Sequence, residues 1–150
     1  MMNFTFYSRN NRPSVEWQDV LADFLFKHLG KYGDSREDIH KALKYALGDP
    51  EVTGGFVCVA EEDGDIIGAV VVNRTGMEGY IPENILVYIA VHRDCRGKGI
   101  GCRMLKEVIG RVRGGIALHV EPDNPALFLY RKLGFINKYL EMRLSGKEVS

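Results

Sequence analysis

A glycine-rich segment in the second half of the chain has the residue types that bind phosphate. Arg96-Gly97-Lys98-Gly99-Ile100-Gly101 follows the apolar run Ile85–Val91 and precedes a helical pattern. Glycine lets the backbone turn without a Cβ clash, so several N–H groups can point to one place. A helix that starts there directs its unpaired N–H groups and the positive end of its dipole to the same place. The segment therefore predicts an anion site, most naturally one for a pyrophosphate.

Two other kinds of phosphate site fit this segment less well. A P-loop needs lysine and then serine or threonine, whereas Gly101 is followed by Cys102 and Arg103. A dinucleotide fingerprint is met by two glycines of the turn but would need its third glycine at Cys102. Glu121, about twenty residues further on, favours that fingerprint as an acid for a ribose. The presence of a single βαβ unit opposes it.

Two motifs together resemble a known family. Arg96-x-x-Gly99-x-Gly101 matches the [Q/R]-x-x-G-x-[G/A] motif of the GNAT superfamily of N-acetyltransferases. Asn124 to Phe135, with Tyr130 and a terminal Gly-Phe pair, resembles a second segment of that family. The order of the predicted elements is also similar. This resemblance implies the GNAT acyl-CoA N-acyltransferase fold and an acetyl-CoA-dependent N-acetyltransferase (an acyltransferase).

The resemblance implies where acetyl-CoA would bind as the acetyl donor. In the family, the strand before the glycine turn splays from the next parallel strand, which frees backbone groups that a sheet would otherwise use. The N–H groups of the turn would take the pyrophosphate, and the backbone of Ala90 and Val91 would take the pantetheine arm. The implied binding residues are Ala90, Val91, Arg96, Gly97, Lys98, Gly99, Ile100, Gly101, Asn124 and Tyr130. No metal is implied.

The resemblance also implies an acid for the leaving group. Tyr130 matches the family tyrosine that stands near the sulfur of CoA, although a core tyrosine on a short helix is the alternative. A phenol with a pKa near 10 is a reasonable proton donor for a thiolate whose thiol has a pKa of about 8.5. Asn124 matches the motif's asparagine, for which capping of the helix and contact with the CoA arm are both open.

A general base is less well marked. Family members often carry a glutamate or histidines early in the strand before the turn, and Glu83 lies two residues before the position that the glutamate most often takes. Glu83 is the predicted base, with an exposed loop residue as the alternative. His119 and Glu121 are weaker candidates, and some members use no dedicated base. Met77 and Tyr80 are candidates to line the acceptor site.

Periodicity predicts the elements that would hold these residues. Apolar residues at three- and four-residue spacing indicate helices, and β-branched or alternating runs indicate strands. Asp63-Gly64 between two such runs predicts a hairpin, and Asp34 is the predicted cap of the second helix. The order is β-αα-βββ-α-β-α-β, a mixed α/β fold with a mostly antiparallel sheet and one parallel pair, which the resemblance to the family implies is splayed. The elements are Asn3–Tyr7, a helix from Pro13-Ser14 to Leu29, Asp34–Leu47, Phe56–Ala60, Ile66–Val72, Ile85–Val91, a helix from Ile100 to Val112, Ile116–Val120, Pro125–Leu133 and Phe135–Leu144.

Composition narrows the class of protein. The chain has 150 residues, 45% hydrophobic and 27% charged, which predicts one globular domain over residues 1–150. Its 20 basic and 20 acidic residues give no net charge, so nothing points to nucleic acid or an anionic membrane as a partner. Its three cysteines lack the spacing of a zinc site or disulfide framework, and no secretory signal is visible, so a cytoplasmic protein is expected.

Two hypotheses about function remain at this level. The first is transfer of the acetyl group of acetyl-CoA to a primary amine by direct attack. The alternative is a non-catalytic acyl-CoA-binding or sensing module, against which Tyr130 counts. The acceptor is not identified by the sequence. Dimers are common in such families, so a homodimer is an open expectation.

Overall fold

The computed structural model describes residues 1–146. The chain divides into two compact units, Met1–Leu118 and His119–Ser150, and the second is described as far as residue 146. The first unit holds the sheet and three of the helices, and the second holds one short helix. That residues 1–150 form a single domain stays a prediction.

Five strands form one sheet in the first unit, in chain order across the sheet. The first three pairings are antiparallel and the last is parallel. The predicted hairpin is present, because Asp63 and Gly64 both have positive φ angles, of 52° and 84°, as a tight hairpin turn requires. The predicted fold class is confirmed. The strands are β1 (Met2–Tyr7), β2 (Gly55–Glu62), β3 (Asp65–Arg74), β4 (Asn84–Val91) and β5 (Ile116–Leu118).

The helices are α1 (Val15–Leu29), α2 (Arg36–Leu47), α3 (Ile100–Arg111) and α4 (Ala126–Lys132). Ser14 caps α1 by accepting a hydrogen bond from the N–H of Trp17. The predicted cap of α2 is wrong: Ser35, not Asp34, accepts from the N–H of Asp38. Asp34 instead accepts a 2.6 Å hydrogen bond from the hydroxyl of Tyr88, which ties the start of α2 to β4.

Helices cover both faces of the sheet. The apolar faces of α1 and α2 pack on one face, in a core that includes Val57, Val59, Val71 and Tyr88. On the other face α3 packs against β2, β3 and β4. Its Met104 lies so close to Gly68 that a Cβ there would stand 2.7 Å from the methionine methyl group. The sheet is thereby held between two layers, and β4 is positioned from both sides.

Two predicted strands differ from the structure. β5 ends at Leu118 rather than at Val120. The predicted strand Phe135–Leu144 is wrong, because these residues have neither helix nor strand structure. Most of their apolar side chains are exposed, among them Ile136, Leu140 and Leu144. Alternating apolar residues predict a strand only where a neighbouring strand offers its hydrogen bonds, and no partner pairs with this segment within the described residues.

Candidate functional site

One edge of β4 is open over its C-terminal part. The parallel pairing with β5 joins residues 84–86 to residues 116–118 and stops there. On its other side β4 stays paired with β3 as far as Val91. Within residues 1–146, no strand pairs with residues 87–91 on the β5 side. The parallel pair that the sequence predicted is therefore present, with its pairing confined to three residues of each strand.

A bulge at Val87 lies next to the residue at which the pairing of β4 with β5 ends. Tyr88 pairs with Val71 and Leu86 with Val72, so Val87 has no partner on β3. A bulge bends its strand and increases the local twist. The pairing with β5 ends at Leu86, the residue before the bulge. We attribute the opening of the sheet to this extra residue.

The hydrogen-bond phase of β4 decides which backbone groups face the opening. The N–H of His92 donates to the carbonyl of Ile67, 2.8 Å away, so His92 faces β3. Because backbone groups alternate along a strand, those of Ala90 also face β3, and those of Ile89 and Val91 face the open side. The carbonyl of Val91 already accepts from Nε of Arg96, at 3.2 Å.

This alternation of backbone direction along β4 therefore favours Ile89 and Val91 over Ala90 as backbone partners for a ligand in the opening. Sequence analysis missed Ile89, because its orientation depends on the register of the β3–β4 pair. The bulge at Val87 shifts that register, and no residue type marks it.

The glycine turn presents a run of unpaired N–H groups. Gly97 and Gly99 have φ angles of 80° and 79°, and an added Cβ at either would meet nothing within 4 Å. No hydrogen bond within the described chain uses the N–H groups from Gly97 through Cys102; the first helical bond is from Arg103 to Gly99. These donors lie at the N-terminus of α3, where the helix dipole favours an anion. The predicted anion site thus has the donors that it needs.

The side chain of Arg96 makes hydrogen bonds within the protein. Its Nη2 donates to the carbonyl of His28, 2.7 Å away, and its Nε to Val91. This guanidinium therefore fixes the turn against α1 and β4. Lys98 is exposed and has no such contact. The N–H of Lys98 is among the unpaired donors of the predicted site, whereas the N–H of Arg96 donates to the carbonyl of Arg93 at 3.5 Å.

The opposite end of β4 holds the predicted base, Glu83. Its Oε1 accepts from the N–H of Gly115 at 2.8 Å and its Oε2 from the N–H of Gly79 at 3.0 Å. These hydrogen bonds, that to Gly115 first, lower the pKa of Glu83. Beside it, the buried Asn84 donates from Nδ2 to the carbonyls of Arg113 and Gly115, which holds the start of β5. In this structure the carboxylate of Glu83 thus holds the backbone at Gly79 and Gly115, and its role as a base stays a prediction.

A groove of about 1000 Å³ lies beside Glu83 in the first unit. Met77 lines it, as do aromatic residues of β1 and β2 and three arginines. Tyr80 is 80% exposed and does not line the groove. That Met77 and Tyr80 line the acceptor site stays a prediction. The aromatic residues and arginines are Phe4, Phe6, Tyr7, Phe56, Arg74, Arg111 and Arg113.

The second unit holds the two remaining predicted residues. Asn124 accepts a 2.9 Å hydrogen bond at Oδ1 from the N–H of Ala126, so it caps the start of α4. Tyr130 is 6% exposed and meets the ring of Phe135 edge-on, with centroids 5.7 Å apart. Burial raises the pKa of Tyr130 to about 12. Its hydroxyl makes no hydrogen bond within the described residues, which leaves the proton free for a ligand. The weaker base candidates, His119 and Glu121, are exposed and lie beyond the end of β5.

Comparisons with known proteins identify the family. A family model described as an acetyltransferase (GNAT) domain matches residues 53–137. An acetyltransferase of Pectobacterium atrosepticum is 33% identical over 112 residues, covering 71% of this chain and 71% of that protein. The N-alpha-acetyltransferase RimI of Mycobacterium tuberculosis is 36% identical over 78 residues, covering 51% and 49%.

The solved structure of a GNAT family acetyltransferase from Streptococcus pneumoniae has the same fold. Its TM-score is 0.69, over 99% of this chain and 100% of that one, at 18% identity. The chain belongs to the GNAT family of acetyltransferases, so it is an acyltransferase enzyme and the resemblance found in its motifs is confirmed. Membership implies acetyl-CoA as the acetyl donor.

Other features of the described residues carry less information about function. No helix in residues 1–146 is long and apolar enough to cross a membrane. Within the same residues, no group of three histidine, cysteine or acidic side chains could hold a metal ion. Burial raises the pKa of Cys58 to about 12, so this thiol is a poor nucleophile.

Proposed function

We propose that this enzyme transfers the acetyl group of acetyl-CoA to a primary amine, which attacks the thioester directly. The family accounts for the acetyl transfer. The amine is supported by the relative from Mycobacterium tuberculosis, whose name states that it acetylates an alpha-amino group. Within the class of primary amines, nothing selects one acceptor.

The observation that carries this proposal is the run of unpaired N–H groups from Gly97 through Cys102. Backbone donors at a helix N-terminus suit a pyrophosphate, because they combine several hydrogen bonds with a favourable dipole. They lie directly after the open part of β4, so a CoA held there by its pyrophosphate can extend its pantetheine arm along that strand. The exposed Lys98 adds a positive charge.

The open edge of β4 suits the amide-bearing arm and the thioester. The N–H of Ile89 faces this opening and is not used by the sheet. A backbone donor fixed in this way polarises a thioester carbonyl and stabilises the negative charge that develops on its oxygen during attack. We assign this role to the N–H of Ile89, and we assign contact with the pantetheine amides to the carbonyl of Ile89 and the N–H of Val91.

Tyr130 is the proposed acid. The nitrogen of the neutral amine forms a bond to the carbonyl carbon, the bond from carbon to sulfur breaks, and the CoA thiolate takes the proton of Tyr130. The nitrogen loses a further proton as the amide forms, and this proton returns through water to the phenolate of Tyr130. A phenol whose pKa is raised to about 12 is fully protonated at neutral pH, so it holds a proton to donate, but it is a weaker acid than an exposed tyrosine. This role rests on the match to the family tyrosine and on the free hydroxyl.

The amine must lose a proton before it attacks, and Glu83 is the residue to test for this step. Its carboxylate is exposed enough to exchange protons with water, but its lowered pKa makes it a weak base. A mechanism in which water takes the proton therefore competes with it. The proposal does not depend on which of the two is used.

Thermal unfolding and thiol release test the proposal. Acetyl-CoA should raise the melting temperature of the protein, whereas NAD at the same concentration should not. A panel of amines, read by the release of free CoA thiol, should then contain at least one acceptor. Stabilisation by NAD alone would contradict the CoA site. Binding of acetyl-CoA without turnover on any amine would contradict the proposed class of acceptor.

A further inference from the structure

We propose that His28 is a positioning residue that holds the glycine turn in its binding conformation by accepting a hydrogen bond from the backbone of Arg93. This inference rests on the proposed function, since the ligand of the turn is acetyl-CoA. His28 lies in the last turn of α1, far in sequence from the turn that it contacts. Neither motif of the family includes it.

Two imidazoles hold the first residues after β4. Nδ1 of His28 accepts from the N–H of Arg93 at 3.2 Å. Nδ1 of His92 accepts from the N–H of Asp94 at 3.0 Å. Two successive backbone donors, at the entry to the glycine turn, are therefore satisfied by ring nitrogens rather than by the backbone.

The ring of His28 is held rigidly. It is 6% exposed, and its centroid lies 4.6 Å from that of Phe24 and 4.3 Å from that of His92. The carbonyl of His28 also accepts from Arg96, at 2.7 Å. One residue of α1 thus contacts both the entry of the turn and the first residue of the phosphate motif.

The hydrogen bond requires a neutral His28 with its proton on Nε2, because a protonated Nδ1 cannot accept. The surroundings favour this form. Burial, followed by the charges of His92, Lys27, Arg96 and Arg93, lowers the pKa of His28 to about 4. The carboxylate of Asp94, which follows Arg93, lies 3.9 Å from Nδ1 of His92.

The consequence for the ligand is preorganisation. Gly97 and Gly99 give the turn its shape but also its freedom, because glycine has many accessible conformations. Holding the residues before them fixed reduces the entropy that binding must overcome. His28 should therefore affect affinity for acetyl-CoA without touching it.

Two variants separate this role from ordinary packing. His28→Asn keeps an acceptor near the position of Nδ1 but loses the ring, whereas His28→Phe keeps the ring and loses the acceptor. We expect His28→Phe to weaken acetyl-CoA binding about tenfold, through KM rather than kcat, while its melting temperature stays close to that of the wild type. His28→Asn should bind nearly as the wild type does, although it melts at a lower temperature. His40→Phe, on the exposed face of α2, is the matched control. It should change neither the affinity for acetyl-CoA nor the melting temperature.

Calorimetry of acetyl-CoA binding gives the deciding comparison. If His28→Asn binds weakly and His28→Phe binds normally, His28 only packs and the inference is wrong. If the wild type itself does not bind acetyl-CoA, the proposed function fails instead. Should the variants not fold, nitrogen NMR of the wild type still decides, since we expect His28 to be neutral with Nδ1 unprotonated at pH 7. A proton on Nδ1 would overturn the inference.

Discussion

The two ends of β4 contrast in how their hydrogen-bonding groups are satisfied. At the C-terminal end, the N–H groups from Gly97 through Cys102 have no partner in the described chain, and one edge of the strand is open. At the N-terminal end, the carboxylate of Glu83 is satisfied by the N–H groups of Gly79 and Gly115. The side-chain amide of Asn84 likewise donates to the carbonyls of Arg113 and Gly115, just before β5.

The contrast distinguishes groups that are available to a ligand from groups that already have partners within the protein. Donors that stay unpaired at a helix N-terminus are available to a ligand at no cost in broken bonds. A charged group that already accepts two backbone hydrogen bonds must give them up, or share them, before it can act on a substrate. Both ends carry residues that sequence patterns single out, but only at the C-terminal end does a run of backbone N–H groups lack a partner among the described residues.

The largest effect should come from a substitution in the turn. Gly99→Glu places a side chain and a negative charge where the pyrophosphate would approach, so acetyl-CoA affinity should fall roughly 1000-fold, about 4 kcal/mol. Gly64→Glu is the matched control. It has a similar positive φ and open surroundings, but it lies in the β2–β3 turn. Calorimetry should show normal binding by the control, and weak binding by both variants would indicate a general effect of strain.

The next largest effect should come from Tyr130, the proposed acid. Tyr130→Phe keeps the ring and its contact with Phe135, so kcat should fall about 100-fold while acetyl-CoA affinity changes little. Tyr139→Phe, at an exposed position of the same unit, should behave as the wild type. Turnover at the wild-type rate in Tyr130→Phe would return Tyr130 to a packing role.

The free energy of unfolding should depend on pH through His28, which contacts the backbone just after the C-terminal end of β4. Its pKa is about 4 in the folded protein and near 6.5 when unfolded, so the unfolded state binds more protons between these values. Stability should therefore fall as pH falls from about 6.5 towards 4, with a contribution of about 2 kcal/mol by pH 5. Urea unfolding at pH 7.5 and pH 5 should show this loss in the wild type and a smaller one in His28→Asn. Equal losses would mean that other groups cause it.

Sequence patterns predicted the turn well because its function depends on residue types. Only glycine tolerates the φ angles of Gly97 and Gly99 at little cost, so these positions are visible in the sequence. The proposed roles of Ile89 and His28 were not predictable, because they follow from a strand register and from a contact across 65 positions of the chain. Phe135–Leu144 was predicted wrongly, since alternation does not show whether a partner strand exists.

The smallest effect should come from Glu83, at the satisfied end of the strand. Because its carboxylate is held by Gly115 and Gly79 and its pKa is lowered, we expect Glu83→Gln to reduce kcat/KM less than about threefold, with a pH profile parallel to that of the wild type. Glutamine keeps one acceptor oxygen, so the support of Gly115 should largely survive. Glu78→Gln, in the same loop, serves as the control for a change of charge. A tenfold loss at neutral pH that recovers as the amine deprotonates at higher pH would show instead that Glu83 is the base. The N-terminal end of β4 would then be part of the active site, and the contrast between the two ends would be wrong.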